Sequence, residues 1–126
     1  MAATQTSDEI QEILTRLEGQ WISNLQVLGI NSLKSVSPKP DAFVGEKIEA
    51  ARVADRRFTL TTTCHEMVID LQRAGKLVWI SQAKPYLMAP GSSRPTVRLI
   101  FASEAGLDLT EPTNTKRITV SLSARA

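Results

Sequence analysis

Hydrophobic positions follow two different periods along this chain. Ile10, Ile13, Leu14 and Leu17 recur at i, i+3, i+4 and i+7, which puts an apolar stripe on one face of a helix. Thr6 and Glu9 fit the [ST]-x-x-[DE] capping box, and Asp8 and Glu9 set negative charge against the positive end of the helix dipole. Gly19 follows as the left-handed residue that stops the helix, so the pattern predicts one helix over residues 7–18.

After Gly19 the period falls to two, and strands are expected from 21 to 123. The first runs from Trp21 to Leu28, before a Ser/Pro/Lys-rich loop from Asn31 to Asp41, where Pro38 and Pro40 exclude a central strand. Extended segments follow at Glu46–Ala54, Arg56–Thr63 and Met67–Leu71. Leu77–Ile80 comes next, after a turn at Ala74-Gly75. The longest loop is Pro85 to Pro95. Beyond it, Thr96–Phe101, Leu107–Leu109 after a turn at Gly106, and Ile118–Leu122 complete the set. Eight short strands at near-regular spacing predict a mainly β (α+β) fold: an antiparallel sandwich or flattened barrel, with the helix packed on an edge or open end. No shift in composition marks a boundary, so residues 1–126 read as a single domain.

One internal echo stands out. Leu17-x-Gly19-x-x-Ile22-x-x-Leu25-x-Val27 returns as Phe43-x-Gly45-x-x-Ile48-x-x-Ala51-x-Val53. Each copy sets an apolar residue, a chain-reversing glycine and then a strand. A true repeat and a coincidence common to turns entering strands both fit.

Composition narrows the classes further. No apolar run reaches the ~18 residues of a membrane helix, and MAATQTSDEIQ lacks the charged and apolar regions of a secretory signal. The expectation is a cytoplasmic protein without a membrane partner. Cys64 is the single cysteine, so no internal disulfide forms, and with His65 it supplies too few ligands for zinc. Fifteen Lys and Arg face thirteen Asp and Glu, a net +2 that permits a nucleic-acid partner without requiring one. No phosphate-binding glycine loop, G-x-S-x-G elbow or H-E-x-x-H occurs, and no cofactor is expected.

The candidate residues each carry a plain structural reading. Asp8, Glu9 and Glu12 belong to helix capping rather than to acid/base chemistry, and His65 to a hairpin turn. Trp21 and Trp79, on strands with apolar neighbours, read as core. Arg52, Arg56, Arg57 and Arg73 with Lys76 form the densest basic set, as solvated strand ends or as phosphate contacts.

The echo is also where a family comes into view. A helix ending in L-x-G-x-x-I and a second G-x-x-I-x-x-V resemble the N-terminal domain of the formamidopyrimidine/endonuclease VIII DNA glycosylases. That family continues with R-R-x-K-Y-L-L, against Ala54-Asp55-Arg56-Arg57-Phe58-Thr59-Leu60 here. Its L-x-I-H-L-x-M-x-G-x-L segment is similar to Met67-Val68-Ile69-Asp70-Leu71-Gln72-Arg73-Ala74-Gly75-Lys76-Leu77. Its H-V-x-L-x-F and D-x-R-R-F-G strands resemble Thr96–Phe101 and Glu111–Ile118. The collinear series covers Asp8 to Leu122 and implies a two-layer antiparallel β-sandwich of about eight strands with one N-terminal helix.

The resemblance implies a family chemistry that these residues only partly repeat. In the family an N-terminal proline amine attacks the damaged nucleotide's sugar, with glutamate beside it. Here Met1-Ala2-Ala3 holds that place. If Met1 is removed, the freed Ala2 α-amine is the one remaining lyase candidate, since such amines have a pKa of about 8 and are partly neutral at pH 7. Arg57 stands for a phosphate-binding lysine, Arg73 for a methionine that fills the space of the flipped base, and Asp70 for a histidine. The family's helix-two-turn-helix and zinc-finger modules have no counterpart in these residues. The expectation is a non-catalytic, glycosylase-like binding module in a DNA-repair context. It would contact a DNA or RNA phosphate backbone through Arg56, Arg57, Arg73, Lys76, Lys116 and Arg117. A protein–protein subunit of a larger complex is the alternative and a residual lyase the second. The sequence leaves oligomeric state open.

Overall fold

A computed structural model of the chain describes residues 6–28, 33–34, 39–72, 75–85, 95–111 and 118–125. The helix α1 spans Ser7–Leu17 and is closed by the expected box: the Glu9 amide donates to Thr6 Oγ1 at 3.1 Å and the Thr6 amide to Glu9 Oε1 at 3.0 Å. Ile10, Leu14 and Leu17 are buried, with Ile13 packed at the margin of the core, as the stripe requires. Eight strands follow: β1 (Ile22–Val27), β2 (Ile48–Ala54), β3 (Arg57–Thr62), β4 (His65–Asp70), β5 (Lys76–Ile80), β6 (Val97–Phe101), β7 (Gly106–Thr110) and β8 (Thr119–Ala124). A 3-10 turn, Pro40–Phe43, precedes β2 and buries Phe43.

The strands form two antiparallel four-stranded sheets, ordered β1-β6-β7-β5 and β2-β3-β4-β8. Helix α1 lies along β2 and also touches β5, so it spans from an edge of one sheet to an edge of the other. Glu18 reinforces that seam by accepting the β2 amide of Ala51 on a carboxylate oxygen at 3.3 Å. Between the layers, Phe58, Leu60, Met67, Ile69, Val120 and Leu122 of one sheet share a core with Leu25, Leu77, Leu99, Leu107 and Leu109 of the other. Alternate residues point inward, which is why the period-two pattern was readable. Among the described residues, no helix is long and apolar enough to cross a membrane.

The echo corresponds to a physical interlock. The Gly19 amide donates to the Ile48 carbonyl and the Gly45 amide to the Ile22 carbonyl, both at 2.8 Å. The Ile48 amide donates to Gln20 and the Ile22 amide to Glu46, again at 2.8 Å. Equivalent residues of the two copies thus exchange equivalent bonds about a local two-fold axis. Both glycines have positive φ, +90° and +88°, and both strands slip register just beyond, between Ile22 and Asn24 and between Ile48 and Ala50.

Two expectations need correction. Trp21 is 52% exposed, so it is not a core residue; it stands opposite Lys47 in the interlock, with the Lys47 ammonium 5.9 Å from its ring centroid. Gly106 is not in a turn but opens β7, while the chain reverses at Ala102–Glu104, where Glu104 has φ +75°. A Cβ on Gly106 would lie 2.4 Å from the Ala83 Cβ and 2.8 Å from the Leu99 carbonyl oxygen, so close cover, not chain reversal, selects glycine.

Candidate nucleic-acid interface

The register gathers part of the predicted basic set at one end of the sandwich. Ala54 of β2 pairs with Arg57 of β3, Arg57 with Asp70 of β4, and Asp70 with Thr119 of β8. The β2–β3 turn at Asp55-Arg56 therefore lies beside Leu71, Gln72 and Gly75. Ser7 Oγ donates to the Asp55 carbonyl at 3.1 Å, which sets the start of α1 against the same turn. Lys76 leaves this end as the exposed first residue of β5, in the other sheet.

Arg56 and Arg57, adjacent in sequence, have opposite surroundings. Arg56 is half-buried, and its guanidinium donates to the carbonyl of Gln72 at 2.7 Å and to that of Gly75. Its own carbonyl accepts the Leu71 amide at 2.9 Å. A planar fork that bonds two carbonyls of one turn acts as a brace for that turn. Arg57 instead has a side chain 64% exposed, with one guanidinium nitrogen 3.1 Å from Asp70 Oδ2. The remaining Asp70 oxygen, Oδ1, accepts the Gln72 amide at 2.9 Å, the Asx-turn bond that supports Gln72 at φ +57°. The turn is tightly packed: a Cβ on Gly75 would come within 2.5 Å of the Leu71 carbonyl oxygen and 2.9 Å of the Ile118 side chain.

Of the six predicted contacts, Arg56, Arg57 and Lys76 are thus brought to one end, and Arg73, Lys116 and Arg117 lie outside the described residues. Arg52 stands apart, exposed in mid-β2 opposite Thr59. Sequence reasoning gave Asp70 no partner within the chain. The available signal was an Asp two residues ahead of the point where the β4 alternation breaks, the spacing of an Asx turn.

A second polar cluster occupies the far end of β2–β4. Glu46 Oε1 accepts the Cys64 amide at 2.9 Å and lies 2.7 Å from the buried Thr62 hydroxyl; Oε2 meets His65 Nδ1 at 2.5 Å. The Thr62 hydroxyl is also 2.9 Å from the His65 carbonyl, so its single proton serves one acceptor at a time. Burial pushes the Glu46 carboxyl up, but hydrogen bonds from Thr62, Cys64 and His65, with the His65 charge, outweigh it and hold the group below its ordinary value. His65 is the first residue of β4 and packs its ring on Phe43, centroids 5.0 Å apart. Among the described residues, no three His, Cys, Asp or Glu side chains converge as a metal site.

The order of strands, the capping helix and the basic turn define a DNA-glycosylase-like N-terminal-domain fold, the fold of the Fpg/MutM proteins. The Lactococcus lactis Fpg (MutM) solved with FAPY-dG-containing DNA is similar at TM-score 0.69 and 17% identity, over 90% of this chain and 41% of that one. LlFpg solved with a THF-DNA and an inhibitor is similar at TM-score 0.72 and 17% identity, over 95% and 44%. MutM in complex with carbocyclic 8-oxo-G-containing DNA is similar at TM-score 0.70 and 16% identity, over 90% and 40%. The chain therefore spans about 40% of the length of the solved chains it matches. No protein-family model matches the chain, and neither does any curated protein.

Proposed function

We propose that this chain is a non-catalytic, nucleic-acid-associated binding module that meets a phosphate backbone with the end of the sandwich formed by the β2–β3 turn and the start of β5. The observation that carries the reading is the fold match over nearly the whole chain to proteins solved on DNA, with Arg57 and Lys76 exposed together at that end. Arg57 and Lys76 make the phosphate contacts, joined by Arg73, Lys116 and Arg117, and Arg56 braces the turn. The module is read as non-catalytic because Met1 to Gln5, the residues ahead of the capped helix, include neither proline nor a carboxylate. The test is binding to labelled duplex DNA across a salt series. Affinity that falls steeply with salt, and is abolished by Arg57→Glu with Lys76→Glu, supports the reading. Salt-independent or absent binding defeats it.

One observation favours a second reading, an assembly subunit with a protein partner. Trp21 is largely exposed, and tryptophan is enriched among residues that dominate protein interfaces. Co-purification that survives both nuclease and high salt, and is lost with Trp21→Ala, would select this reading over the first.

A further inference from the structure

We infer that Asp70 sets the anion affinity of the basic end, by holding Arg57 in an internal ion pair that an incoming phosphate has to displace. The inference rests on the nucleic-acid reading and adds to it the residue that limits its strength.

Among the described residues, two Arg–Asp pairs lie in register across neighbouring strands, and they differ in kind. Arg98 meets Asp108 with both nitrogens of its fork, Nε on Oδ1 and a terminal nitrogen on Oδ2, each at 2.8 Å, and also bonds the Lys84 carbonyl. Both side chains are mostly buried, and that pair is locked. Arg57 meets Asp70 end-on through one nitrogen at 3.1 Å, from a side chain that is largely in solvent. Water and salt screen such a contact, so an anion can exchange into it.

Asp70 cannot follow Arg57 when it leaves. Its side chain is only 25% exposed, and Oδ1 is tied to the Gln72 amide. Each exchange therefore leaves a fixed carboxylate beside the incoming phosphate, and the repulsion between them offsets the contact that Arg57 gains. Arg57 is consequently a weaker phosphate ligand than its exposure suggests.

Asp70→Asn separates the two jobs of this side chain. The amide oxygen still accepts from Gln72, so the turn is kept, while the charge on Arg57 is released. Asp70→Ser, whose hydroxyl can accept the same amide, serves as the second variant. Fluorescence anisotropy with a labelled DNA duplex, titrated in sodium chloride, is expected to show about fivefold tighter binding at low salt for both variants. The log–log salt slope should steepen by about 0.9. Adding Arg57→Gln should remove both gains. Wild-type binding with no gain in either variant overturns this inference and leaves the nucleic-acid reading standing. No binding by wild type or by either variant overturns both.

Discussion

Gly19 and Gly45 are related by a local two-fold axis: each amide donates 2.8 Å to the carbonyl of the isoleucine three residues beyond the other glycine. This is where the two sheets are stitched, since β1 belongs to one and β2 to the other. A Cβ at either glycine would meet nothing within 4 Å, so substitution strains only the backbone. Gly19→Ala and Gly45→Ala should each lower stability by about 1–2 kcal/mol in urea titrations. Because the two positions share one hydrogen-bonded unit, the double variant should fall short of the sum by about 0.5 kcal/mol. Strict additivity would mean that the two turns act independently.

Acid sensitivity should trace to Glu46. Its folded carboxyl titrates below the ordinary 4.5, so its contribution is fully present above that value and is lost as pH falls through the lower folded one. Glu46→Gln, which can still accept from Thr62 or Cys64 but carries no charge for His65, should flatten the decline of melting temperature over that acid range. Glu46→Ala should cost about 1–2 kcal/mol near neutrality, because it removes the carboxylate that meets the Cys64 amide and His65 Nδ1, while the Thr62 hydroxyl keeps the His65 carbonyl as acceptor. Parallel acid profiles for wild type and Glu46→Gln would refute the assignment.

The Arg98–Asp108 pair lies under the start of the long β5–β6 connection, where Arg98 also bonds the Lys84 carbonyl. Asp108→Ala leaves a mostly buried guanidinium without its carboxylate and should cost about 3 kcal/mol. Arg98→Met with Asp108→Leu should recover most of that loss, since apolar replacement of a buried pair is often neutral. Guanidinium titration of the wild type and these two variants decides it. A double variant as weak as Asp108→Ala would show that the Lys84 bond, not the pair, is what matters.

The two tryptophans should behave oppositely. Trp79 packs against the core, stacked on Phe101 with centroids 5.9 Å apart and with the Arg16 guanidinium 5.9 Å from its ring. Trp79→Ala should cost about 3 kcal/mol. Trp21→Ala should change stability by no more than about 0.5 kcal/mol, as for other exposed positions. Iodide quenching of the wild type should reach Trp21 and largely spare Trp79. Equal quenching of both single-tryptophan variants would contradict the assignment.

Helix α1 was legible almost to the residue, because its capping box and its 3.6-residue stripe are local signals. Strands such as β3 and β4 were legible because buried and more exposed residues alternate along them, whereas β7 is buried on both faces. Trp21 misled because it follows the β-pattern but precedes the paired strand, in the short bridge with Lys47, where its side chain is left outside. Gly106 misled because glycine marks a turn in sequence, whereas here the Ala83 Cβ lies on top of it, from a segment more than twenty residues away in sequence. Arg56 and Arg57 are indistinguishable as letters. Strand register sends Arg57 to the rim beside Asp70, while the turn before it points Arg56 back at the carbonyls of Gln72 and Gly75.

What the sequence determined by itself is therefore the fold class, its order of elements and the glycine echo, since each depends on the spacing of residues along one segment. Only the tertiary structure decided that the echo is a reciprocal pairing of two strands, and which cation of the basic turn faces solvent. Those outcomes depend on hydrogen bonds between segments distant in sequence, and no local pattern encodes which carbonyl or carboxylate a given side chain will meet.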